Sequence, residues 1–370
     1  DIYRRDLNSF RYLNNNDRDT TYKQTTTGFQ IRAGVPITEY MSLALRYSLN
    51  LDDVSLDKDT YYTNGVCDPI LAGRYLCDAI GKRTTSSLGY SLIYDNRDNR
   101  IRPTRGHNVV VSQDFAGLGG SVKYIRTRLN GSKYWPLGGG FIFSLSAEGG
   151  YIHSLEGERR DASGELVDKV RLTDRFFLGN PQIRGFDIRG IGPRVKRFYL
   201  VEDPDNAGSF IRSTGDNNVR DDALGGKIYY LARAEVEIPL GSGAREMGLR
   251  PSIFVDAGAV AGLRDPIPTN FPGYCSVTPQ TGTSGSASTV RAASLGNCNA
   301  PPTGFDAAYL DGTGFEEVYL GDTLKPRVSV GFGVNWNSPF GPFRIDIAKA
   351  LLKEPGDDTQ LISFNVGTQF

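Results

Sequence analysis

From Val328 onward, every second side chain is large and apolar: Val328, Val330, Phe332, Val334 and Trp336 alternate with Ser329, Gly331, Gly333 and Asn335. Successive residues of a β-strand point to opposite faces, so this segment carries one apolar face and one small or polar face. The period recurs along the chain. Phe29, Ile31, Ala33 and Val35 alternate with Gln30, Arg32 and Gly34, and Leu43, Leu45, Tyr47 and Leu49 with Ser42, Ala44, Arg46 and Ser48. Leu88, Tyr90, Leu92 and Tyr94 repeat it, as do Phe141, Phe143, Leu145 and Ala147, and Phe343, Ile345 and Ile347. A chain of such segments is all-β, and about ten residues is the length that crosses a bilayer as a tilted strand.

Alternation alone also suits a soluble barrel or sandwich, which would bury its apolar face. Connection lengths separate the two. Turns near Pro36 to Tyr40, Trp135 to Gly140 and Pro339 to Pro342 are short, whereas Asp52 to Arg83, Ser154 to Leu224 and Arg264 to Lys325 are long and polar. Short turns on one rim and long loops on the other form the outer-membrane arrangement. The predicted strands are 1–12, 22–36, 41–51, 85–97, 106–115, 121–135, 140–153, 226–240, 249–261, 326–338, 342–350 and 361–370, giving twelve in an antiparallel transmembrane β-barrel. No run approaches the roughly 18 apolar residues of a membrane-spanning helix. The 44 Gly, 19 Tyr and 19 Phe against 2 Met and 2 Trp likewise favour strands and turns over packed helices.

Lys plus Arg and Asp plus Glu both total 42, so no net field favours nucleic acid. Four cysteines form two local pairs, Cys67 with Cys77 and Cys275 with Cys298, each in a polar segment. This pattern suits disulfides made in an oxidising compartment; zinc is the rival reading, but there is no CxxC spacing and no nearby His. His107 and His153 are the only histidines, far apart and without Ser or Asp at motif spacing, so an enzyme is not expected, nor a cofactor or metal.

The long segment after Tyr151 contains Phe176-Phe177-Leu178-Gly179-Asn180-Pro181-Gln182-Ile183-Arg184-Gly185-Phe186. Three further motifs stand around it. Tyr94-Asp95-Asn96-Arg97-Asp98 is followed by Pro103-Thr104-Arg105-Gly106, and Val255-Asp256-Ala257-Gly258 and Trp336-Asn337-Ser338-Pro339-Phe340-Gly341-Pro342 come later. In this order the motifs resemble the BamA family, also called the bacterial surface antigen barrel family, across essentially the whole chain. Its longest surface loop folds into the lumen and carries a (Val/Ile)-Arg-Gly-(Phe/Tyr) tip.

The resemblance implies that residues 1–370 are the C-terminal portion of a barrel of about sixteen strands, with an inward-folded loop over about 154–224. Asp1 then falls in or near the family's fifth strand, so the first strands and the periplasmic POTRA domains would precede it. The resemblance also implies that Arg184 bonds Glu237 and Asp256 on the inner wall, with Gly185 permitting close approach and Phe186 packing on the wall. Alternation independently places Glu235, Glu237 and Asp256 inward. The final strand, with Phe364, Asn365, Gly367 and Phe370, has the aromatic-ended form by which outer-membrane barrels are recognised, although Thr368 departs from the pattern. The function so implied is folding and insertion of β-barrel proteins into the bacterial outer membrane. Its partners would be nascent barrel proteins, assembly-complex lipoproteins bound through POTRA domains, and outer-membrane lipid. Alternatives are a TamA-like or two-partner secretion translocator, or a passive porin.

Overall fold

A computed structural model describes residues 1–12, 18–206, 210–213, 219–241, 248–280, 287–292, 298, 303–338 and 341–366. Twelve strands form one antiparallel meander in which each strand pairs with its neighbours along this order. They are β1 Ile2–Tyr12, β2 Arg18–Pro36, β3 Met41–Ser55, β4 Gly81–Asp95, β5 Gly106–Ala116 and β6 Tyr124–Gly138. The second half comprises β7 Phe141–Ser154, β8 Ile228–Glu237, β9 Leu249–Ala261, β10 Arg327–Ser338, β11 Gly341–Leu352 and β12 Ile362–Val366.

The outward face carries Ile31, Leu45, Leu88, Leu129, Ile253, Phe332 and Ile345, which remain exposed, Ile253 by 51% and Phe332 by 43%. Apolar surface on this scale is incompatible with water and matches a hydrocarbon solvent, where the ladder also satisfies the backbone. The fold is thus an all-β antiparallel transmembrane barrel wall. Aromatic side chains gather beside the short turns: Tyr94 lies 5.1 Å from His107 and 6.4 Å from Tyr40, and Trp135 stacks on Phe143 at 5.3 Å. Phe343 contacts Trp336 and Phe364 at 5.7 and 5.8 Å. Amphipathic rings favour this depth, where headgroups meet hydrocarbon.

The inner face is polar and internally paired. Ser48 bonds Ser87 at 2.7 Å, Ser91 bonds Ser112 at 2.8 Å, Arg46 pairs with Asp114, and Arg233 reaches Glu148 at 3.5 Å.

On the long-loop rim the connections fold together into a cap. Residues 56–80, expected only as a polar loop, form α1 Lys58–Tyr61, α2 Pro69–Ala72 and α3 Arg74–Ala79. Asp57 and Asp68 cap α1 and α2 by accepting from the Thr60 and Ile70 amides. Tyr61, Ala72, Leu76 and Ala79 bury against Leu172, Val195 and Leu224 from the next long segment. That segment and the following one build a second sheet, ordered 210–212, 194–202, 305–320, 271–279 and 288–291, with 219–223 also paired to 194–202. Disulfides Cys67–Cys77 and Cys275–Cys298 close this cap.

Candidate functional site: a loop tip docked on the inner wall

Between β7 and β8 the chain descends from the cap and places Ile183, Arg184 and Phe186 in full burial, with Arg184 only 4% exposed. Phe186 and Ile183 pack with Leu178 and Ile191 against Leu231 of β8 and Val260 of β9. The floor beneath them consists of small residues. Gly185 has φ +84°, and a Cβ there would stand 3.0 Å from the Ser329 Cβ and 3.3 Å from the Ala348 Cβ, so neither its backbone conformation nor its space suits a side chain. The small inward residues Ser329 of β10 and Ala348 of β11 therefore create the room that the tip fills.

Arg184 binds Asp256 at three points. Its backbone N–H donates to Oδ2 at 3.0 Å, Nε to Oδ2 at 2.7 Å and Nη2 to Oδ1 at 2.5 Å. Nη1 donates to Glu235 Oε2 at 2.8 Å, and the guanidinium lies over the Phe254 ring at 3.3 Å. A planar fork meeting a carboxylate in two parallel bonds fixes orientation as well as charge. A second arginine completes the cluster: Arg344 of β11 donates to Asp346 at 2.8 Å and to Glu235 at 3.2 Å. Burial disfavours the Arg184 cation, but Asp256 and Glu235 outweigh it and raise its pKa above the ordinary arginine value.

Glu235, not Glu237, is the second acid at this arginine. Strands β8 and β9 pair Glu235 with Phe254 and Glu237 with Ser252. Both glutamates face inward, but two residues of strand separate them by about 7 Å. Arg184 lies above Phe254 and so meets Glu235; Glu237 sits nearer the short-turn rim, 3.6 Å from Arg250. Alternation determines the face of a residue but not its height, and the height decided this pairing. Arg344 and Asp346 have the correct parity on β11, but it is the long Arg344 side chain, reaching off its own ladder row, that meets Glu235, while Asp346 lies 3.9 Å from Arg184. Beneath the tip, toward the short-turn rim, lies a cavity of about 310 Å³ lined by Arg102, Arg233, Glu235, Glu237 and Arg250 among others.

On the final strand, Phe364 faces outward and Asn365 lies opposite Arg344 in the register. Gly367 and Phe370 lie outside the described residues.

Comparison with known proteins gives a consistent picture. Residues 2–370 match the Omp85 superfamily domain. The outer membrane protein assembly factor BamA of Neorickettsia risticii (strain Illinois) is 28% identical over 97% of this chain, which spans 36% of that protein. BamA of Neisseria meningitidis serogroup B is 25% identical over 94% of the chain and 37% of its own length. The sorting and assembly machinery component 50 homolog of Mus musculus is 33% identical, but over 32% of the chain and 24% of its own length. The chain therefore spans about a third of the length of the bacterial relatives it matches. Among solved structures, BamA from Haemophilus ducreyi lacking POTRA domains 1-3 superposes with a TM-score of 0.57 at 20% identity, over 93% of this chain and 54% of that one, a likeness of fold. With its domain match covering nearly every residue, the chain belongs to the Omp85 superfamily.

Proposed function

We propose that this chain forms the membrane-embedded wall of an assembly factor that folds and inserts β-barrel proteins into the bacterial outer membrane. The observation that carries this reading is the buried Arg184 clasp within a wall whose similarity to two bacterial assembly factors runs almost end to end. Similarity to the sorting and assembly machinery component 50 homolog and a SAM50-like protein covers 32% and 51% of the chain, less than the span shared with the two BamA proteins, which favours the bacterial member of the superfamily. The two disulfides of the cap suit an oxidising cell surface or periplasm.

The clasp is a structural lock on the inward loop of about 154–224: Arg184 ties its tip to Asp256 and Glu235, Gly185 admits close approach, and Phe186 seals the tip against the wall. The chemistry asked of the wall is non-covalent. A strand edge in hydrocarbon leaves backbone groups unsatisfied, which is strongly unfavourable, so a nascent strand adds to it by hydrogen bonding. The partners are nascent outer-membrane barrel proteins, assembly-complex lipoproteins and outer-membrane lipid, and Phe364, Asn365, Gly367 and Phe370 form the signal by which the chain is itself recognised. The intact protein in liposomes should speed folding of an unfolded eight-stranded client barrel, read as a heat-modifiable, protease-resistant band. Client folding no faster than in empty liposomes would overturn the proposal.

A further inference from the structure

Among the described residues, the last strand has the shortest ladder of the wall. Among the described residues β12 pairs with β11 at five positions, Ile362 to Val366, whereas β10 and β11 pair over eleven. What holds the chain entering β12 is the docked loop. The Asp187 N–H donates to the Asp358 carbonyl at 3.1 Å, the Asp358 N–H to the Gly190 carbonyl at 2.8 Å, and the Gln360 N–H to the Gly185 carbonyl at 3.2 Å. Phe186 and Thr359 face each other in this antiparallel bridge. Gly190 allows the approach, since a Cβ there would lie 2.6 Å from the Asp358 carbonyl oxygen.

Side chains reinforce the bridge. Arg194, 2% exposed, begins the cap strand 194–202, and its Nη1 donates to Asp358 Oδ2 at 2.8 Å, to the Gly356 carbonyl at 2.9 Å and to Asp221 at 2.9 Å. Its Nη2 donates to the Arg189 carbonyl at 2.6 Å. One guanidinium thus grips both sides of the bridge. Lys196 donates to Asp358 Oδ1 at 3.0 Å. Next along, Arg327 of β10, fully buried, donates from Nε to Asp357 Oδ2 at 2.9 Å and from its other nitrogens to the Thr323 and Gly321 carbonyls.

We propose that Arg194 and Asp358 are positioning residues for the last strand, clamping the inward loop to the chain that enters β12 so that the two are held or released together. The Arg184 cluster grips β11 lower down through Glu235 and Arg344, so the loop engages the final hairpin at two heights. The proposal rests on the assembly reading only for the use made of β12; the coupling belongs to this chain itself.

The test is amide hydrogen exchange on the intact protein in nanodiscs, without any client barrel, so that its result is independent of assembly activity. Asp358→Asn keeps shape and removes charge. Exchange should accelerate at least tenfold both at 185–191 and at 362–366, and Asp358→Glu should restore both to within a few-fold of the parent. Acceleration confined to 354–360, or of one segment without the other, or a Glu variant that behaves like Asn, would overturn the proposal. Should Asp358→Asn lose its heat-modifiable fold, Gly190→Ala asks the same question by steric pressure on the Asp358 carbonyl; because the new Cβ also presses on the Asp187 backbone, acceleration at 362–366 is the deciding readout, and its absence would overturn the proposal.

Discussion

The wall and the cap are built from opposite kinds of information. In the wall, neighbours in sequence are neighbours in space, each strand pairing with the next, and period two decides which side chain meets hydrocarbon. In the cap, strand 194–202 pairs with 305–320, more than a hundred residues away, and buried Arg197 bonds Glu317 at 2.6 Å across that gap. The wall takes its stability from a solvent that favours its outer face, whereas the cap needs its own small core, ion pairs and two disulfides. The docked tip joins them, since it descends from the cap yet is held by wall residues.

The largest expected effect lies at that junction. Arg184→Ala removes the guanidinium clasp from buried Asp256 and leaves only Arg233, its cross-strand neighbour, as a nearby cation; breaking a buried pair from one side costs about 3–5 kcal/mol. Protease cutting and hydrogen exchange should rise across 176–191 while the heat-modifiable wall persists. Protection of the tip unchanged from the parent would show that the apolar packing of Ile183 and Phe186 suffices without the clasp.

Next is the polarity of the wall. Val330 points outward from β10, so Val330→Arg places a charge in hydrocarbon and should cost about 2–4 kcal/mol in a denaturant titration in bilayers. Ser48→Thr, on the inner face beside Ser87, should change stability by less than about 1 kcal/mol. Equal costs at the two positions would mean that the faces had been assigned wrongly.

A smaller effect separates cap from wall. Removing the Cys67–Cys77 bridge, which encloses a short loop, should destabilise the cap by about 2–3 kcal/mol. Mild protease should then cut within 56–80 under reducing conditions and spare the wall. Simultaneous loss of the wall's heat-modifiable band would show that the two regions melt as one unit.

These differences explain what could be read in advance. The strands were legible because lipid imposes a pattern that survives in several segments; β9 was expected at 249–261 and spans Leu249–Ala261. The cap was not, because pairing between 194–202 and 305–320 leaves no local period. At the site, Arg184, Gly185, Phe186 and Asp256 were identifiable as residues, but the choice between Glu235 and Glu237 required the β8–β9 register. Asp358 carried no motif at all, since its importance arises from the Gly190 carbonyl and Arg194 arriving from elsewhere in the chain.

A third region sharpens the contrast, because the turn between β4 and β5 is ordered almost wholly by its own side chains. Asp98 accepts from the Thr104 and Arg105 amides at 2.9 and 3.1 Å and from the Thr104 hydroxyl at 2.5 Å, and the Thr104 side chain leads the interactions that hold its pKa down at about 2. A carboxylate with a folded pKa below its ordinary 3.8 contributes order that is complete above that value and is lost as pH falls through about 2. In the intact protein, the Thr104 and Arg105 amide resonances should therefore titrate with a midpoint near 2 while the wall amides stay unmoved. A midpoint near the ordinary aspartate value would mean that Asp98 does not organise this turn, and that the short-turn rim, like the cap, is held by contacts from a distance.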